Sequence, residues 1–344
     1  MSARSTLEPT EPVETRRRPG GLRTTALILL AVALVASIAI FAIGRGSSRS
    51  IVPQHGALLG AYVQAAPGAT RAEARDTVSA FERGIGRPIA IDQHFYPWDS
   101  PFPTWRERWD LAQGRIPMIT WGRFSTAAVV SGSQDQLIRA RARGVRDLGS
   151  PVLFRWSGEM DAPHWAGMIG SPSDFIAAWR HVRSLFDEEG AGNAQFVWCP
   201  NASAFESGRA QEYYPGNDEV DWICADGYNW SPLVPGGRPG GPWASFPSIF
   251  SSFYRWGLTT GKPMLIGETG AQEDTPGRKA AWITDMGAAL RDRFPAIKAL
   301  VYFDAVSSSN QGGTFDWKVD TSPASQAAFA QLAALPYFRP SLPS

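Results

Sequence analysis

Eight short apolar runs, each separated from the next by a helical pattern or a long loop, constrain this chain more than any other feature. They are ALLGAYV (57–63), RPIAID (87–92), IPMITW (116–121), PVLFRW (151–156), AQFVWCP (194–200), DWICADGYNW (221–230), KPMLIGETG (262–270) and IKALVYFDA (297–305). Between them lie TRAEARDTVSAFERGI (70–85), with Thr70 placed to cap it, TWRERWDLAQG (104–114), and further helical patterns near 133–148, 173–189, 248–260 and 278–293; a last helix covers about 323–335. Runs of this kind read as strands buried on both faces. Parallel strands need long crossovers, so the pattern predicts an α/β fold in which a parallel sheet closes into a (β/α)8 barrel. The competing open, doubly wound sheet would place a Gly-rich phosphate loop after its first strand, and GAYVQAAPG lacks the GxGxxG spacing.

The 344 residues leave room for more than this barrel. Residues 1–23 are rich in Pro, Thr, Glu and Arg and read as a disordered cytoplasmic tail. From 24 to 43, TTALILLAVALVASIAIFAI carries no charge and is long enough to cross a bilayer as one helix. Arg16, Arg17, Arg18 and Arg23 precede it, against Arg45 and Arg49 after it, so the positive-inside rule keeps the N-terminus in the cytoplasm. The expected organisation is a signal anchor at 24–43, a linker at 44–54 and an extracellular barrel domain at 55–344. Cleavage within VASIA, releasing a secreted form, is the alternative.

In a parallel barrel the active site forms at the C-terminal ends of the strands. Those ends bring Tyr62, His94 to Trp98, Trp121, Trp156 to Glu159, Trp198 to Asn201, Asp226 to Trp230, Glu268 and Phe303-Asp304 to one rim. A mixture of carboxylates, amides and aromatic rings suits a sugar, whose hydroxyls take hydrogen bonds and whose C–H faces stack on rings. The 14 tryptophans fit the same reading, or simply a Trp-rich core. A net charge of +1 gives no reason to expect nucleic acid. Glu159 ends the fourth strand and Glu268 the seventh. Two carboxylates across one cleft are the apparatus of glycoside hydrolysis, one neutral to protonate the leaving oxygen and the other ionised.

Together, RWSGEMD, FVWCPN, VDWICADGYNW and KPMLIGETG, in this order, resemble glycoside hydrolase family 26, mannanases and related β-glycanases of the retaining clan A. The resemblance implies that Glu159 is the acid/base, Glu268 the nucleophile and Tyr228 the group that orients it. It also makes Trp121, Trp156, Trp165 and Trp230 candidates for sugar stacking. The chain departs from the pattern Arg-x-x-His-Glu-Met-Asn, with Gly158 where the histidine stands and Asp161 in place of Asn. His94 or His164 could fill the vacated space. Arg155 and Asp226 complete the expected substrate-binding set, although Arg155 could equally pair with a glutamate and Asp226 could orient a loop; Asn201 reads as a turn residue.

The four histidines offer no metal-ligand spacing, so neither a catalytic metal nor a cofactor is expected. No GxSxG elbow is present. Cys199 and Cys224 are the only cysteines, and a bridge between neighbouring strands and two buried thiols are both open. The sequence thus predicts a monomeric, membrane-anchored β-glycosidase acting on a polysaccharide. A catalytically inactive barrel that holds such a polysaccharide is the alternative.

Overall fold

The computed structural model describes residues 50–230, 243–308 and 314–340. The expected cytoplasmic tail, the membrane helix at 24–43 and all but the end of the linker lie outside the described residues. Among those described, no helix is long and apolar enough to cross a membrane.

Eight parallel strands close into a barrel in chain order. They are β1 (Leu58–Val63), β2 (Ile91–Tyr96), β3 (Ile116–Trp121), β4 (Val152–Trp156), β5 (Ala194–Trp198), β6 (Trp222–Asn229), β7 (Met264–Ala271) and β8 (Ile297–Asp304). Closure is the pairing of β8 with β1, from Leu58 opposite Ala299 to Val63 opposite Asp304. The crossover helices cover the outside. Several start on side-chain caps that satisfy otherwise orphaned N–H groups, as expected for Thr70, which forms a reciprocal capping box with Glu73 at the head of Arg71–Ile85. Thr104 with Glu107 and Ser171 with Asp174 repeat the device.

Two cores follow from the alternation of side chains along each strand. One fills the lumen with residues such as Leu58, Ile91, Met118, Leu153, Val197 and Leu265; Ile51 joins it, so packing starts inside the expected linker. The other lies between the barrel wall and the helices and holds Phe154, Trp156, Trp179, Phe196 and Trp198.

The second strand differs from expectation. It runs over Ile91–Tyr96 rather than 87–92. Gly60 sets its approach, since a Cβ there would lie 2.6 Å from that of Ile91. Its polar residues are buried: Gln93 donates to Thr120 inside the lumen at 2.9 Å, and His94 bonds Asp110 of the helix Trp105–Ala112 at 2.6 Å. Polar side chains with partners of this kind belong inside a strand, not after it.

Cys199 and Cys224, on neighbouring strand ends in the lumen, form a disulfide.

Candidate active site

Above the disulfide, the lumen core gives way to charge. Arg155, the last inward-facing residue of β4, is 1% exposed and donates one arm to Asp226 and another to Glu268. Both carboxylates come from strand ends that a bulge brings level. The β6–β7 register shifts after Ala225, so that Asp226 sits opposite Glu268 and Gly267 is the extra residue. Only glycine fits there, because a Cβ would lie 2.4 Å from Cys224 Sγ and 2.8 Å from Asp226 Oδ1. Tyr228 completes the grip, its hydroxyl donating to Glu268 Oε2 at 2.6 Å. Burial, then the Glu268 charge, push the Tyr228 phenol well up, so it remains a donor. Burial likewise raises Asp226 well above the ordinary carboxylate range; the Arg155 charge opposes this.

Glu159 approaches by another route. The chain after β4 turns through Ser157 and Glu159, both left-handed, with φ of 51° and 55°. Such backbone costs about 1–3 kcal/mol per residue and persists where surroundings enforce it. Here the Ser157 N–H donates to the Trp121 carbonyl at 3.0 Å and the Glu159 N–H to that of Cys199 at 2.8 Å. The carboxylate is half-buried and meets Arg123 Nη2 at 3.3 Å. Burial, then the neighbouring charge of Glu268, raise its pKa, while Arg155 and Arg123 pull it down. A carboxyl group lifted in this way can carry a proton where a free one cannot. In a pH profile, the limb governed by loss of this proton is expected above the ordinary glutamate range. Since Arg123 lowers the pKa, Arg123→Gln is expected to move that limb further up. An unchanged limb in pH profiles of kcat/KM would contradict this arrangement.

Gly158 has a direct physical reason. A Cβ at this position would stand 2.4–2.7 Å from the Arg155 guanidinium. That group is the end of a long side chain but is pinned by Asp226 and Glu268, so it cannot step aside without releasing them. Gly158→Ala is therefore expected to cost about 1–3 kcal/mol and to lower kcat together with thermal stability; a melt and a rate measured on the same sample would check both. Asp161 is similarly explained: its carboxylate accepts from the Asn201 backbone N–H at 2.8 Å and from the Asn201 side chain at 3.2 Å. Asn201 precedes the short turn Ala202–Phe205 and also bridges to Asp226.

The structure brings Glu159, Arg155, Asp226, Tyr228 and Glu268 together, with Trp165 and Trp230 nearby. Trp165 lies under the Arg123 guanidinium at 4.3 Å. Trp230 stands edge-on to Trp317 at 4.8 Å, and Trp317 packs on Tyr228 at 4.6 Å. Three expected residues are elsewhere. Trp121 is fully buried and stacked on Trp98 at 4.0 Å, its indole N–H spent on the Trp98 carbonyl. Trp156 is fully buried against Phe175 and Trp179. Both point from the barrel wall into the helix layer, because Thr120 and Arg155 take the inward positions beside them. His94 faces the same layer and pairs with Asp110, so it does not fill the space beside Gly158. His164 lies against Trp165, with ring centres 4.7 Å apart.

Arg123 was not expected, although a cation two residues past a strand end is as legible as a glutamate there. Tyr62, Phe95 and Phe303, all expected at the rim, meet there as an aromatic corner, with Tyr62 4.7 Å from Phe95 and 5.2 Å from Phe303. Phe303 also meets Tyr228 at 5.8 Å, which joins the corner to the carboxylate cluster.

Comparison with known proteins places these features in a family context. Residues 122–233 match the model for glycosyl hydrolase family 26. Endoglucanase H of Acetivibrio thermocellus is 29% identical over 287 residues, covering 80% of this chain and 30% of that protein. The chain therefore spans under a third of that relative's length. Among solved structures, a family 26 β-mannanase from Bacteroides ovatus superposes with a TM-score of 0.59 at 14% identity, covering 83% of this chain and 90% of its own. The catalytic domain of an endo-β-1,4-mannanase from Bacillus sp. JAMB-750 also gives 0.59, at 17% identity, with 82% and 86% covered. These two likenesses bear out the barrel expected from the alternating strands.

Proposed function

We propose that this chain is a member of glycosyl hydrolase family 26 and a retaining β-glycosidase that cleaves a β-linked polysaccharide by double displacement. The observation that carries the proposal is the unequal treatment of two carboxylates at one barrel mouth. Glu268 is fixed by Arg155 and Tyr228, as a nucleophile must be. Glu159 is raised by burial and by the charge of Glu268, as a proton donor must be. In the first step a Glu268 oxygen bonds to the anomeric carbon while the glycosidic C–O bond breaks and Glu159 gives its proton to the departing oxygen. In the second, Glu159 takes a proton from water, whose oxygen displaces Glu268 and restores both groups.

Glu268 loses its charge as the intermediate forms. That removes one cause of the raised pKa of Glu159 and leaves Arg123 and Arg155 to favour the ionised base. The same residue can thus serve as acid and then as base.

A β-mannan or a β-glucan is the substrate class this reading favours, given what the relatives are named for. The test is product release from β-mannan, mixed-linkage glucan, β-1,3-glucan and xylan, with the anomer of the first product followed by proton NMR. Release of the β-anomer first is the expected result; the α-anomer would show inversion and refute the double displacement. We further propose that the barrel acts outside the cell, anchored by residues 24–43. The uncharged segment with its flanking arginines supports this, as does a disulfide, a bond of oxidising compartments. Recovery of the full chain in the soluble cytoplasmic fraction would contradict it.

A further inference from the structure

Outside the carboxylate cluster, the chain buries a second set of charged groups for which the hydrolytic reaction has no use. Asp92 and His94 project from the outer face of β2, and Asp110 meets them from the helix Trp105–Ala112. Asp110 is fully buried, Asp92 is 1% exposed and His94 is 7% exposed. His94 Nε2 lies 2.6 Å from Asp110 Oδ2 and 4.0 Å from Asp92 Oδ2. One ligating atom from each residue falls within 4.8 Å of the others.

The imidazole answers only part of this charge. Asp92 Oδ2 and Asp110 Oδ1 have no hydrogen-bond partner, and both are buried. Arg115 turns Nη1 toward Asp110 Oδ1 at 3.7 Å, beyond hydrogen-bond distance, while Glu82 holds its Nε at 2.9 Å and its Nη2 at 2.8 Å. Two carboxylates sealed from water with so little compensation are costly unless a cation joins them. Space for one is present. A cavity of about 200 Å³ is lined by Asp92 and His94 together with Tyr62, Val63, Phe95 and Arg106. That is room for the waters that would complete a coordination sphere.

We infer that Asp92, His94 and Asp110 form a binding site for one divalent transition-metal ion. Two carboxylate oxygens and one imidazole nitrogen, without sulfur, suit a borderline ion such as Zn²⁺, Co²⁺ or Mn²⁺. Around an ion with bonds of about 2.0–2.2 Å, neighbouring ligand atoms stand roughly 3–3.5 Å apart. Asp110 must therefore draw back slightly from His94 and Asp92 must move in.

The site lies across the barrel wall from Glu268, so its role is structural. It ties β2 to the adjacent helix and so steadies Phe95, whose ring forms part of the aromatic corner. The inference does not rest on the glycosidase reading, and its test needs no substrate.

The experiment is titration of the tag-free, chelator-treated full chain with Zn²⁺ and, separately, with Co²⁺. Calorimetry, the visible Co²⁺ spectrum and the melting temperature are the readouts. One equivalent bound per chain with a raised melting temperature is expected. Asp92→Asn and His94→Gln should each weaken binding by at least about 10–100-fold, the loss typical even of outer-shell partners. His181→Gln, which removes the half-exposed pair with Asp135, should bind as the wild type does. Absence of uptake by the wild-type chain would overturn the site and leave a buried hydrogen-bonded cluster of one imidazole and two carboxyl groups. Uptake lost in His181→Gln but kept in His94→Gln would also overturn it. Should Asp92→Asn fail to fold, His94→Gln and the wild-type Co²⁺ spectrum decide the matter.

Discussion

Glu268→Gly is expected to lower turnover of a polysaccharide by roughly 10⁴-fold or more, the scale on which removal of an enzyme nucleophile acts, without loss of the folded barrel. Glycines already stand one and two residues away, at Gly267 and Gly270, and the remaining cluster keeps Arg155 paired with Asp226. Added azide should restore part of the rate with an activated aryl glycoside, and the product identifies which carboxylate was lost. Azide entering from the face vacated by Glu268 gives the α-glycosyl azide. Glu159→Ala should lose about 10²–10⁴-fold on substrates with poor leaving groups, much less on activated ones, and give the β-azide. The same azide anomer from both variants would mean that the two roles are wrongly divided.

Arg155→Met carries the largest expected change in stability. Arg155 is the shared partner of Asp226 and Glu268 at the floor of the mouth. Its removal leaves two carboxylates facing each other without a counter-charge, and breaking a buried pair from one side typically costs about 3–5 kcal/mol. Denaturant unfolding would measure it. Two internal checks separate charge from packing. Adding Asp226→Asn should recover much of the loss, which makes the double-mutant cycle strongly non-additive. The deficit should also depend on pH. Asp226 has a raised pKa in the folded chain, so folding favours its neutral form. The penalty is then full at high pH and fades as pH falls toward the ordinary carboxylate range near about 4. A deficit that is independent of pH and additive with Asp226→Asn would assign Arg155 a packing role instead.

How much of this was legible in the sequence differs from residue to residue, and the reason is geometric. Strand and helix periodicity is local, so all eight strands could be read, and the absence of a phosphate loop excluded the open sheet. β2 was misplaced because Asp92, Gln93 and His94 look like the end of a buried strand. They are inside it because Thr120 and Asp110 answer two of them, and those partners lie on other elements. Glu159, Glu268, Tyr228 and Asp226 were found because strand ends meet at one rim in any such barrel. Trp121 and Trp156 were misjudged for want of parity: Leu153 lies in the lumen and Phe154 in the outer core, so Arg155 faces in and Trp156 out. That alternation was present in the sequence. The bulge that inserts Gly267 was not, since it depends on how two strands pair. Gly158 could be seen as a departure from the family pattern, but its cause, a guanidinium pinned over it, is a tertiary fact.

The division of labour between Glu268 and Glu159 is the central claim, and trapping the intermediate tests it most directly. The full chain would be incubated with 2-deoxy-2-fluoro-β-glycosyl fluorides of the mannose and glucose series, then analysed by intact mass and peptide mapping. The account predicts one added fluoroglycosyl group, attached to Glu268 in the peptide that contains MLIGETG. Release of fluoride with no covalent adduct, or an adduct on Glu159, would contradict it.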